Sequence, residues 1–338
     1  MKNLILTLLI STPLSSLANG DSAQHYFKQG LVEKSNKRFL VAHQAFQKSI
    51  SFDAQFKDAY VEDAAVLTEM RRIYDAKLCY EKLLEIDPQH AIATRELAQL
   101  YFDYRQYDKA IELAQKCNAC SSKNRIIGMS YYQKEDYASA EKYLLAALKE
   151  NPSDAEATYC MARNYLDMES YKQSVPWYEK AIALPNAKNS WMYELGLLYY
   201  NNNNFVSAVA AFEKAAATGY TVNNDFNENL GFAAIYAGQM EKGETLLLEI
   251  LKRKPNNVTL LRDMAETFYT RNQYDKSLQY CQKLMEINPQ DGKALYQAGL
   301  CFIKKGEKDR GQQMCDKAIE LEPSLANLRR KKEMPAGL

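Results

Sequence analysis

The chain has 338 residues, with 43 Lys plus Arg against 42 Asp plus Glu and a net charge of +1. Hydrophobic residues make up 47% and charged residues 25%, a composition that folds and that excludes a disordered chain. Balanced charge gives no support to a nucleic-acid binder, and 13 Gly with 9 Pro argue against a turn-rich all-β fold.

The first element is a leader. Lys2 supplies a positive charge, Leu4 to Ile10 form a short apolar run, and Ser16-Leu17-Ala18 fits a small-x-small cleavage pattern. Residues 1–18 are therefore expected to be a signal peptide, with the mature chain periplasmic or secreted. The apolar run is too short to span a bilayer, and no later segment is apolar enough to do so.

A repeat follows. Small residues recur at Gly30, Ala64, Ala98, Gly128, Ala162, Gly196, Gly231, Ala265 and Gly299, spaced by 34, 34, 30, 34, 34, 35, 34 and 34. Twelve residues after each stands a second small residue: Ala42, Ala76, Ala110, Ala140, Ser174, Ala208, Gly243, Ser277 and Gly311. Large apolar side chains keep the same register, among them Tyr101, Tyr131, Tyr165 and Phe268 in the first half and Phe46, Tyr80, Tyr178 and Phe212 in the second. Apolar residues three and four apart mark helix faces. Small residues belong where two helices cross closely. Pro88, Pro152, Pro255, Pro289 and Pro323 close five of the units, because proline lacks the N–H a continuing helix needs. Asn, Asp or Gly is expected to make the turn inside each unit, most plainly at Asn201 to Asn204.

The predicted units run over about 23–56, 57–90, 91–120, 121–154, 155–188, 189–223, 224–257, 258–291 and 292–325. Three depart from the norm. The third is four residues short, so its second helix should lose about a turn before Ser121. The fifth carries Pro176 inside its second helix, which should start late or kink. The sixth has one extra residue near Tyr220 to Asn223. Residues 326–338 form a basic cap or tail around Arg329-Arg330-Lys331-Lys332.

A 34-residue helix–turn–helix unit with this pattern resembles the tetratricopeptide repeat. The clearest matches are Leu195-Gly196, Tyr199, Ala208, Phe212 and Ala215, and Ala162, Tyr165, Tyr178 and Ala181. The resemblance covers about residues 23 to 325 and implies an all-α, right-handed superhelical solenoid of about nine repeats. It also implies which first-helix positions face the concave groove. Candidate partner-binding residues there are Arg95, Arg125, Tyr132, Tyr159, Arg163, Tyr193, Tyr200, Asn201, Phe232, Tyr236, Arg262 and Tyr269. Tyr and Arg dominate binding hot spots, although each tyrosine can equally pack between helices. Some family members clamp a terminal carboxylate with Lys or Arg followed four residues later by Asn. Here Arg95 is followed by Gln99, Arg125 by Met129 and Arg262 by Glu266, so that clamp is not implied.

Chemistry has few candidates. Cys117-Asn118-Ala119-Cys120 admits three readings: two buried thiols, a local disulfide, or a redox or metal site. Cys281 and Cys315 occupy a register position held elsewhere by Phe or Tyr and read as core. His25, His43 and His90 have no metal or catalytic spacing, and no phosphate loop or nucleophile elbow is present. The chain is therefore expected to be non-catalytic and free of cofactor or metal. Its expected role is an exported scaffold that binds a protein or peptide, and the alternative is a carrier or sensor of a glycan or small ligand. Oligomeric state is not legible.

Overall fold

The computed structural model describes residues 14–117, 120 and 122–327. Those residues form eighteen α-helices and one closing 3-10 turn, with no strand among them. The fold class that the period predicts is the one observed. The expected leader lies outside the described residues up to position 13, and the basic run at 329–332 lies outside them altogether.

Two compact units divide the chain, 1–186 and 187–338. The first holds five helix pairs: α1 (Leu14–Ser35) with α2 (Phe39–Phe52), α3 (Lys57–Glu69) with α4 (Ile73–Ile86), α5 (Ala91–Asp103) with α6 (Tyr107–Lys116), α7 (Lys123–Gln133) with α8 (Tyr137–Glu150), and α9 (Ala155–Asp167) with α10 (Tyr171–Ala183). The second holds four: α11 (Asn189–Asn201) with α12 (Phe205–Ala217), α13 (Asn224–Tyr236) with α14 (Met240–Arg253), α15 (Val258–Thr270) with α16 (Tyr274–Ile287), and α17 (Gly292–Lys304) with α18 (Lys308–Leu321). The 3-10 turn Pro323–Leu325 packs back on α17 and α18.

Within each unit a first helix touches its own second helix most, and α2, α4, α6, α8, α12 and α16 each touch the next first helix. First helices also touch one another, α5 with α7 and α7 with α9 in one unit, α13 with α15 and α15 with α17 in the other. Successive second helices do not meet to the same extent, so the first helices form the inner row of each unit.

The small positions do what the spacing requires. A Cβ added to Gly196 would lie 2.6 Å from the Phe212 ring, and one on Gly128 would lie 2.8 Å from the Leu144 backbone nitrogen. Where Ser replaces Ala at the second small position, its hydroxyl donates across the crossing: Ser174 to the Ala162 carbonyl at 2.8 Å, and Ser277 to the Ala265 carbonyl at 2.7 Å. Phe46, Leu144, Tyr178, Phe212 and Phe268 are fully buried beside these crossings and anchor the core.

Two local expectations need correction. The turn inside each pair places one residue at positive φ in every repeat: Lys37, Arg71, Arg105, Glu135, Glu169, Asn203, Gly238, Asn272 and Gly306. Five of these are Lys, Arg or Glu, not Asn, Asp or Gly. The helix end overrides intrinsic preference because the turn repays the strain with two backbone bonds, as where Arg71 N–H reaches Thr68 O at 2.9 Å and Arg72 N–H reaches Leu67 O at 2.8 Å. Of the two outcomes expected of Pro176, the late start is the one overturned: α10 begins in register at Tyr171 and continues past the proline. The short unit behaves as expected, since α6 has 10 residues where other second helices have 13 or 14.

Candidate functional site

The inner row of the first unit is knit together by its own charges. Arg125 of α7 donates to Asp154 at 2.9 Å and to Glu156 at 2.6 Å. Asp154 is the N-cap of α9 and accepts the Ala157 N–H at 2.9 Å. One carboxylate thus caps a helix and latches it to the preceding repeat. Nearby, the Tyr132 hydroxyl donates to Asp167 at 2.7 Å, and Arg163 reaches the same carboxylate at 3.4 Å. Tyr159 meets the Tyr178 ring edge to face, with centroids 5.7 Å apart.

Arg95 stands at the register of Arg125, three residues before the first small position. The residue at the register of Asp154 is Cys120 and the N-cap of α7 is Ser122, neither an acid, and Arg95 pairs instead with its neighbour Glu96 at 2.6 Å. Cys117 and Cys120 are joined as a disulfide across the shortened end of α6. The other described cysteines, Cys79, Cys160, Cys281, Cys301 and Cys315, are buried thiols outside any disulfide. Burial pushes the Cys160 and Cys281 thiols up to about 12, which removes them as nucleophiles near neutral pH.

The second unit repeats the latch once. Arg262 of α15 donates to both oxygens of Asp291, at 3.0 and 3.3 Å, and Asp291 caps α17 by accepting the Ala294 N–H at 2.9 Å. Burial alone would raise the Asp291 carboxyl, but Arg262 and the capped amides outweigh it and hold the group below the usual range.

Elsewhere the second unit's inner row is aromatic. Tyr193 stacks on Tyr220 with centroids 4.6 Å apart and on Phe226 at 5.7 Å, and its hydroxyl accepts from Asn229 at 2.8 Å. Tyr236 stacks on Phe205 at 4.7 Å, and Tyr200 meets both rings edge on. Tyr200 is pushed up to about 12 by burial, with Tyr236 and Asp263 adding to the shift. Asn201 is exposed at the end of α11. Phe232 is only 8% exposed and belongs to the core, so its ring offers little to a ligand. Tyr269 stands in a separate cleft with Tyr274 and Tyr296.

Two acids that the sequence reading passed over complete this face. Glu228 occupies the register that Arg125 and Arg262 hold in the latched repeats. The cap at the corresponding register of the next repeat is Asn257, already bonded to the Leu260 N–H at 3.2 Å and carrying no full charge. Glu228 is raised by burial, then by Asp263 and Asp225. Asp263 is raised by burial and by Glu266, with Arg262 offsetting part. Neither carboxyl makes a hydrogen bond or ion pair among the described residues. One signal was readable: the stretches 189–201 and 224–236 contain acids and no Lys or Arg.

Models of the tetratricopeptide repeat match residues 66–122, 127–185, 159–220 and 292–325, together just over half of the chain. The chain is 25% identical over 192 residues to Protein O-mannosyl-transferase TMTC3 of Homo sapiens, covering 54% of this chain and 21% of that protein. It is 25% identical over 169 residues to Type IV pilus assembly protein PilF of Pseudomonas aeruginosa, covering 48% of this chain and 67% of that one. A solved structure of Pseudomonas aeruginosa pilF superposes with a TM-score of 0.37 at 15% identity, covering 74% of this chain and 99% of the other. One of MamA superposes at 0.32 and 20% identity, covering 64% and 98%. Both are loose superpositions.

The mannosyl-transferase relatives correct the expectation of a non-catalytic chain, because the matched stretch is shared with proteins named as enzymes. The chain spans about a fifth of the length of those relatives. Missing catalytic motifs in a recognition array say nothing about the chemistry of a protein that contains such an array. With its nine-fold period, its close crossings at the small positions and these matches, the chain belongs to the tetratricopeptide repeat family, an architecture for contact between proteins.

Proposed function

We propose that the chain is an exported scaffold that holds a basic segment of a partner protein against the first-helix face of its second unit. The observation that carries this reading is the pair Glu228 and Asp263. Both carboxyls are half-buried, Asp263 adds to the rise that burial gives Glu228, and neither forms an ion pair among the described residues. A Lys or Arg side chain placed there would relieve two desolvated charges at once, and the Tyr200, Phe205 and Tyr236 rings beside them suit a cation's apolar stem and charged head. In the first unit the corresponding groups are spent on each other.

Export is supported by the leader pattern at 1–18 and by the Cys117–Cys120 disulfide, a bond that persists in oxidising compartments. The relative named as a type IV pilus assembly protein offers one setting, the assembly of a multi-protein structure. A second reading follows from the mannosyl-transferase relatives: the array holds a polypeptide acceptor while transfer chemistry is done elsewhere. Both readings need the same face.

The test is binding of an envelope extract and of a Lys/Arg-rich peptide to the wild type and to Glu228→Gln/Asp263→Asn. Retention by the wild type, loss of roughly tenfold in the variant, and weakening with salt are the expected results. A variant that holds the same partner with unchanged affinity refutes the acidic face as the site.

A further inference from the structure

A cleft of about 500 Å³ opens on the inner side of the last two repeats of the second unit, between the α15–α16 turn and the α17–α18 pair. Its lining includes Tyr269, Tyr274, Tyr296, Leu300, Gln312 and Lys304. Cys315, only 3% exposed, also lines it. The volume is that of a small-molecule site and is too little for a folded partner.

The charge of this cleft is the opposite of the acidic face. No Asp or Glu lines it, and α17 contains none. The neighbouring Lys305 is tied to Asp275, whereas Lys304 makes no hydrogen bond or ion pair among the described residues. Lys304 is an exposed residue in the cleft's lining, and its charge offsets part of the rise that burial gives the Tyr269 hydroxyl. The Tyr269 and Tyr274 rings stand 5.7 Å apart at 60°, and the Tyr274 hydroxyl donates to Asn272 at 2.7 Å, which holds its ring in place.

We infer that this cleft is a separate binding site for a small aromatic monocarboxylic acid. The rings take the flat body by edge and face contact. Lys304 pairs with the carboxylate; Gln312, whose amide nitrogen already donates to Asp316 at 2.9 Å, contributes only wall. A single charge is specified, not two. Only one ammonium lines the cleft, and it sits on the last residue of α17, where the helix dipole is negative and disfavours a dianion such as phosphate. The inference goes beyond the scaffold reading and does not depend on it, since the two sites select ligands of opposite sign.

The experiment is calorimetric titration of the full chain with phenylacetate and indole-3-acetate, beside their primary amides and mannose. Lys304→Gln and Tyr269→Ala are compared, with helicity checked by circular dichroism. The acids should bind with Kd below about 1 mM and the amides roughly tenfold more weakly. Lys304→Gln should lose about tenfold for the acids and nothing for the amides, and Tyr269→Ala should weaken both. Lys304 is exposed on a helix end, so its replacement leaves the fold intact. Equal binding of acid and amide, no binding of either acid at 1 mM, an unaffected Lys304→Gln, or binding of mannose in place of the acids would each overturn the proposal.

Discussion

The junction from α7 to α9 and the junction from α13 to α15 use the same register to opposite ends. At the first, Arg125 meets an acid that is already a helix cap, and the charges vanish into structure. At the second, the next repeat's cap at the register of Glu228 is an amide that is already satisfied, and the Glu228 charge is left over. One position can thus carry a latch or a ligand contact, and the residue at the next repeat's cap decides which. The candidate arginines of the first unit are therefore spent on their own acids, and the acids of the second unit are where the proposed partner would act.

The comparison can be broken most severely at the close crossing that both junctions share. Gly128→Val and Gly231→Val would each drive a side chain into Leu144 or Leu247, which approach an added Cβ to 2.8 Å. Each should cost about 3 kcal/mol in chemical denaturation. A loss under 1 kcal/mol would mean that the helices slide apart freely.

Next come the latches. Arg125→Ala or Arg262→Ala strands a mostly buried carboxylate and should cost about 2 kcal/mol, less than a fully buried pair because both arginines keep contact with water. Glu228→Gln at the same register should cost nothing in stability, and may be compared directly by thermal melts.

Transplanting the latch sharpens the contrast. Glu228→Arg with Asn257→Asp rebuilds in the second unit the arrangement seen at Arg125 and Asp154. A gain of about 1 kcal/mol is expected, together with loss of the basic ligand. A double variant no more stable than the sum of its singles would show that the register alone does not make a latch.

The two kinds of acid also respond to pH with opposite sign. Glu228 and Asp263 have folded-state values raised above the unfolded ones, so protonation favours the fold, and that contribution fades as pH rises through their folded values. Asp291 is held below its unfolded value, so its contribution is present above about 3.9 and is lost as pH falls through the folded value. Melting temperature should therefore rise slightly as pH falls through the raised folded values of Glu228 and Asp263, and fall again once pH drops below about 3.9, where the Asp291 contribution is lost. Glu228→Gln/Asp263→Asn should remove the rise and keep the fall.

The smallest effect lies in the turns. Glu135→Gly relieves a positive φ that glycine adopts without strain, and it should stabilise by a few tenths up to about 1 kcal/mol. A loss would mean that the Glu135 side chain contributes more than its backbone costs.

Period, helix pairing and close crossings were legible in the sequence because each depends on residues a fixed distance apart: Gly196 needs no knowledge of the whole fold to imply a near neighbour such as Phe212. The shortened α6 was legible for the same reason. The turn residues were not, since Lys37 and Glu135 adopt a conformation their own preference resists and the helix-end hydrogen bonds decide. The inner row was half legible. Inner positions could be listed from the resemblance, yet Phe232 proved buried, and Arg95, Arg125, Arg163 and Arg262 all proved to have acid partners close by.

By itself, then, the sequence determined the repeat, the helices and the crossings, because these follow from spacing along one chain. Only the tertiary structure decided which charges cancel and which remain. Arg125 and Asp154 are 29 residues apart, and Arg262 and Asp291 likewise, so whether a charge is spent depends on what the next repeat brings against it.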